Sequence, residues 1–121
     1  MVVRLLVFIL FVCQAVHAQK LAEVYKAFPA DSSSVLRLHK AVDSLRERSN
    51  REALEIAKYG FQLAQRANYP KGEALMLESI AWLYYRNSDY SNSMETISKA
   101  IDLSKRHGFN QVWARGLICI A

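Results

Sequence analysis

Apolar residues recur three and four positions apart through most of this chain, and no run rich in Val, Ile or Thr alternates with period two. That pattern predicts helices joined by short turns. The first predicted helix carries Val35, Leu38, Val42 and Leu45 on one stripe, with Arg37, Lys40, Asp43 and Glu47 off it. It stops near Ser49-Asn50, where the Asn50 side chain can accept from the unpaired amides of the next helix. The second buries Ala53, Leu54, Ala57, Phe61 and Ala64 and ends near Ala67-Asn68, because Asn tolerates the left-handed conformation that stops a helix. Pro70 suits the first turn of the third helix, which runs to Arg86 with Ala74, Leu77, Ala81 and Tyr84 on one stripe.

Asn87-Ser88-Asp89 then reads as a tight turn, with Asp89 capping a fourth helix. That helix aligns Met94, Ile97, Ile101 and Ser104, with Ala100 and Leu103 beside them, and ends at His107-Gly108. Asn110 caps a fifth, Gln111 to Ala121. Upstream, Lys20 to Ala27 forms a short helical lead-in ending near Pro29, and Asp31-Ser32-Ser33-Ser34 is a turn that caps the first helix. The expectation is an all-α chain of antiparallel helical hairpins, with a lead-in over 19–34 and the helical array over 35–121.

Met1 to Ala18 breaks from this periodicity. One cation, Arg4, precedes the apolar run from Leu5 to Val12, and the small residues Ala15, Val16 and Ala18 follow. Charge, apolar stretch and small-residue exit form the order of a secretory signal peptide, cleaved between Ala18 and Gln19. The run is about half the roughly 20 apolar residues a membrane-spanning helix needs, so no span is expected in this segment. Cys13 follows Val12, whereas a lipoprotein signal places a small residue before its cysteine. Loss of Arg4 lowers the net charge from +5 to +4. Acids and bases alternate, as in Arg46-Glu47-Arg48 and Arg51-Glu52, which describes a solvated helical surface better than a nucleic-acid footprint. Past the leader Cys119 stands alone, so no internal disulfide forms and stability must come from packing.

Shifting the sequence against itself by about 40 residues lays the second predicted helix on the fourth and the third on the fifth. Glu55 meets Glu95, Leu63 meets Leu103, Arg66 meets Arg106, Ala74 meets Ala114 and Leu77 meets Leu117. Asn68-Tyr69 falls on Gly108-Phe109, a left-handed stop followed by an aromatic. The matches fall on packing and turn positions. Ala53, Gly60, Ala81 and Ala100 supply the small side chains that let helices cross closely.

The unit Ala74 to His107 resembles a tetratricopeptide repeat. Leu77, Ile80-Ala81 and Tyr84 stand where that pattern places an aromatic, Leu-Gly and Tyr; Ser88-Asp89-Tyr90 stands for Gly-Asp-Tyr; and Ser93, Ile97 and Ala100 stand for Ala, an aromatic and Ala. The preceding unit matches through Ala53, Ala57 and Gly60, and a following one begins with Ala114, Leu117, Ile120 and Ala121. Departures are Ala81 for Gly, Ser93 for Ala, no closing proline at Lys105, and a spacing of about 40 residues against the usual thirty-four. The leader, the poorly matched first helix and the long repeat also resemble exported bacterial signalling proteins. In those, such a stack precedes a membrane helix and a histidine-kinase or DNA-binding output module.

The resemblance implies about two and a half repeats of an α-solenoid that binds a protein or peptide in the periplasm, as the sensory or scaffolding front end of a signal-transduction protein. The chain stops inside its third unit, which reads as a fragment of a longer protein. The alternative is a free-standing exported scaffold with no output domain. Family groove positions map onto Leu75, Glu78, Trp82, Tyr85 and Arg86, where Trp82 and Tyr85 either anchor a partner or pack on the neighbouring repeat. Glu78 and Trp82 replace the Lys and Asn of repeats that clamp a terminal carboxylate. No catalytic or metal-binding pattern is found: His39 and His107 lie apart on surface positions, Glu52 and Glu55 face outward, and no Gly-rich loop is present. Neither enzyme activity nor a cofactor is expected.

Overall fold

A computed structural model describes residues 2–10 and 25–109. The cleavage point at Ala18 and Gln19, the predicted fifth helix from Gln111, and Cys119 lie outside the described residues. Residues 2–10 are helical and exposed, and none joins the buried core. From Tyr25 onward the described chain is all-helical, with α1 (Ser32–Leu45), α2 (Asn50–Arg66), α3 (Pro70–Arg86) and α4 (Tyr90–His107). Each helix packs on the next, and α1 also reaches α3. Links this short between helices packed along their lengths make neighbours antiparallel, the arrangement of a helical repeat.

The turns are built to one frame. α2, α3 and α4 begin at Asn50, Pro70 and Tyr90, twenty residues apart. The left-handed residues Asn68, Ser88 and Gly108 keep the same interval. After α2, the Tyr69 amide donates to the Ala64 carbonyl (3.0 Å) and the Asn68 amide to Gln65 (3.1 Å). After α3, Asp89 donates to Tyr84 (2.9 Å) and Ser88 to Tyr85 (3.0 Å), and after α4 Phe109 donates to Ser104 (2.8 Å). These bonds satisfy carbonyls that a helix end leaves open, and the left-handed residue reverses the chain. The forty-residue period seen in the sequence thus contains two half-units of equal length.

Helix starts follow side-chain chemistry, with two adjustments. Asp31 accepts from the Ser34 amide at 2.7 Å, so Ser32, Ser33 and Ser34 form the first turn of α1 rather than a preceding turn. That backbone hydrogen bond, helped by the Ser34 hydroxyl and by Arg37, holds the Asp31 carboxyl below its ordinary range. The cap is therefore at full strength above the usual carboxylate range and is lost as pH falls through the lowered value. Asn50 does not cap α2; Ser49 does, accepting from the Glu52 amide at 3.4 Å, and Asn50 is the first helical residue. Asp89 caps α4 through the Asn92 amide (3.4 Å).

Two clusters of buried side chains meet on α3. One joins Val35, Leu38 and Val42 of α1 and Ile56, Ala57, Leu63 and Ala64 of α2 to Met76, Ile80 and Leu83. The other joins Leu77 and Ala81 to Ile97 and Ala100 of α4. A helix covered on two sides has no single apolar stripe, which is why one stripe through Ala74, Leu77, Ala81 and Tyr84 misses Met76, Ile80 and Leu83. Tyr84, Leu45, Leu54, Phe61, Ile101 and Leu103 lie at cluster margins, half-buried. Met94, expected on the packing line, is 50% exposed.

Close approach is concentrated at two glycines. A Cβ on Gly60 would lie 2.6 Å from Met76 Cε, the end of a flexible side chain. One on Gly72 would lie 2.5 Å from Tyr69 Cδ1 and 2.8 Å from Val35 Cγ1, in the wedge where the aromatic after the turn folds onto α1 and α3. Alanine is the better helix former by about 1 kcal/mol, but overpacking costs roughly 1–3 kcal/mol. Gly72→Ala is therefore expected to lower the urea midpoint, by an amount equivalent to about 1 kcal/mol net, and an unchanged or raised midpoint would show that Tyr69 yields freely.

Candidate partner-binding surface

α3 turns most of its circumference into the two clusters and leaves one strip open. Leu75, Ser79, Trp82 and Arg86, spaced four, three and four apart, occupy that strip. Leu75, Ser79 and Trp82 are half-buried and Arg86 is exposed. Of the expected groove residues, Glu78 does not belong to it. It is only 8% exposed. Ser79 takes its place on the open strip, and its hydroxyl donates to the Leu75 carbonyl (3.2 Å).

The strip is densest at the end where the C-termini of α1 and α3 meet. Arg46, which closes α1, places its guanidinium carbon 4.6 Å from the centre of the Trp82 ring, and Arg86 places its own 5.0 Å from it. Trp82 also packs against the larger core cluster. Of the two roles open to this residue, packing is therefore occupied, while its cationic flanks face solvent. Each cation over the ring contributes about 0.5–1 kcal/mol at an exposed site. Arg46 also lies 3.6 Å from Asp43 in a solvent-exposed pair, a contact of small energetic weight. Among the described residues Arg86 makes no ion pair and no hydrogen bond.

Beyond Arg86 the open surface continues across the turn. Tyr85 is 56% exposed, and its ring meets Tyr90 edge-on at 5.5 Å; Tyr90 and, one helical turn on, Met94 are exposed to a similar degree. The turn is held from below. Asn50 Nδ2 donates to Asn87 Oδ1 (3.3 Å), tying the start of α2 to the end of α3. The Ser93 hydroxyl donates to the Ala81 carbonyl (2.7 Å), joining α4 to α3 where the repeat pattern has alanine. Sequence reasoning does not assign Arg46, Ser79, Tyr90 or Met94 to this surface; it reads Arg46 as part of a solvated charge run, Tyr90 as a turn residue and Met94 as packing. Arg46 reaches Trp82 across two turns, for which the sequence carries no local signal.

The remaining features are plainer. A shallow open cleft is lined by Lys26, Tyr59, Gln62, Gln65 and Arg66, with the tyrosine hydroxyl donating to the Lys26 carbonyl (3.4 Å). His39 is half-buried, and His107 is exposed and stacks on Phe109 (5.6 Å). Glu55 is exposed, whereas Glu52 is half-buried in the first turn of α2. Among the described residues no group of three or more His, Cys, Asp and Glu converges, and no helix is long and apolar enough to cross a membrane.

If the two cations define the environment of Trp82, removing one must change it. In a Trp113→Phe background, which leaves Trp82 as the single tryptophan, Arg86→Ala and Arg46→Ala are each expected to shift Trp82 emission to longer wavelength without loss of helical circular dichroism. Unchanged spectra in both variants would mean that neither guanidinium rests on the ring.

Comparisons of the chain with protein-family models, with curated proteins and with solved structures return no match. The described residues of this chain form an all-helical, repeat-like array with an open aromatic and cationic strip on its third helix.

Proposed function

We propose that this chain is a protein-binding module of the tetratricopeptide type, exported to the periplasm as the sensory or scaffolding front end of a signal-transduction protein. The observation that carries the binding part is the continuous open surface of Trp82, Arg86, Tyr85, Tyr90 and Met94 on an otherwise well-packed array. Tyr85 and Tyr90, whose rings meet, and Met94 one helical turn beyond Tyr90 are each about half exposed, and aromatic and Arg side chains are the types that anchor partners.

Repeat-like packing supports the resemblance drawn from Ala53, Ala57, Gly60, Ala81 and Ala100, all of which are buried. Export rests on the order of charge, apolar run and small residues before Gln19. The apolar side chains of residues 2–10 contribute nothing to the core, which fits a segment outside the domain. Among the described residues the open strip offers a cation-flanked ring and hydroxyls, groups suited to holding a partner.

A photo-crosslinking residue placed at Tyr85, compared with one at exposed Lys99, tests the binding role in the cell envelope. Discrete adducts are expected from position 85, and Trp82→Ala should reduce them while the position-99 control gives none. Equal labelling from both positions, or none from either, would contradict the module reading.

A further inference from the structure

We propose that the partner of this surface is an acidic peptide whose carboxylates are taken by Arg86 and Arg46 and whose neighbouring aliphatic side chain rests on Tyr85, Tyr90 and Met94. The inference rests on the binding role proposed above and adds the chemistry of the partner.

The geometry favours an anion. Both guanidinium carbons lie about 5 Å from one ring centre, so they are no further from each other than those two distances together. Stacking uses the face of a guanidinium and leaves its N–H edge to donate, and that edge matches a carboxylate in a two-point fork. Arg86 has that edge uncommitted among the described residues. Arg46 shares its edge with Asp43 at 3.6 Å, longer than a good charge-assisted hydrogen bond, so an incoming carboxylate competes for it on favourable terms. Of the other carboxylates toward this end, Glu47, next to Arg46 in the chain, is exposed and Glu52 is half-buried, while three more are held or buried. Asp89 is held by the Asn92 amide and side chain (3.4 and 2.7 Å), Glu95 pairs with Lys99 (3.3 Å), and Glu78 is buried.

The apolar half of the surface starts at the same end of α3. Tyr85 precedes Arg86 in the chain and meets Tyr90, whose next turn presents Met94. An adaptable thioether and two tyrosine faces suit an aliphatic side chain. The resulting order is an acidic pair followed by a leucine-like residue. This differs from a clamp on a chain-terminal carboxylate, because the cations come from helix ends and the ligand groups are side chains.

The test uses the full chain carrying Trp113→Phe, titrated at low ionic strength with acetyl-Glu-Glu-Leu-Leu-amide and, separately, acetyl-Lys-Lys-Leu-Leu-amide, with Trp82 emission as the readout. The acidic peptide is expected to give a saturable change that weakens with added salt, and the basic peptide none. Arg86→Ala should weaken binding about tenfold, the scale of one lost charge-assisted contact. Asp43→Asn, which releases Arg46, should tighten it by about threefold, an effect that a purely structural role for Arg46 would not produce. Equal response to both peptides, no response to the acidic one, or indifference to Arg86→Ala and Asp43→Asn would overturn the inference. Adducts from position 85 in the envelope with no acidic-peptide response would sink this proposal while leaving the binding module standing. Acidic-peptide binding without such adducts would sink the module and leave the chemistry.

Discussion

Everything in this array depends on α3 being covered on two adjacent sides. Met76, Ile80 and Leu83 face α1 and α2, while Leu77 and Ala81 face α4. Neither cluster is large. The first rests on aliphatic side chains fully out of water, among them Leu38, Leu63, Met76 and Leu83, each contributing about 1.5–3 kcal/mol. The second is a smaller contact closed by Ile97 and Ala100 and pinned by the Ser93 hydroxyl on the Ala81 carbonyl. Because one helix serves both, its exposed strip is narrow and fixed in place. What it presents there, Trp82 and Arg86, is held by core packing beneath and by Arg46 from α1.

The turns explain how such a small core stays in register. Left-handed residues at Asn68, Ser88 and Gly108 end successive helices at one interval, so each helix returns along the last with the same offset. Only the last of the three is glycine. Asn tolerates this conformation through its short polar side chain. Ser88 adopts it at a cost, and the Asp89 cap and the Asn50 to Asn87 hydrogen bond beside it offset that cost. The surface proposed to bind lies at this junction, where the chain reverses and the Tyr85 and Tyr90 rings meet.

Most of the array was legible in the sequence because helix boundaries are local. Pro70, Asp31, Asp89, Asn68 and Gly108 each act on their own turn, and each does what its chemistry implies. Errors arose where two helices or two candidates compete. Ser49 and Asn50 are both capping residues, and nothing local decides between them. One-sided periodicity underestimates a helix with two buried sides, which hid Met76 and Leu83 and left Ile80 to the repeat pattern alone. Glu78 reached the surface strip by the mapping of family groove positions, although that side chain is buried. The site was legible only in part, through Leu75, Trp82, Tyr85 and Arg86, since Arg46 joins them by a contact made in three dimensions.

Native-state hydrogen exchange, followed amide by amide, tests the central role of α3 most directly. Amides in the middle of α3, from Leu77 to Leu83, should exchange only with global unfolding, while α4 and α1 open separately at lower cost. Protection that is highest in α4, or an α3 that opens before its neighbours, would contradict the account.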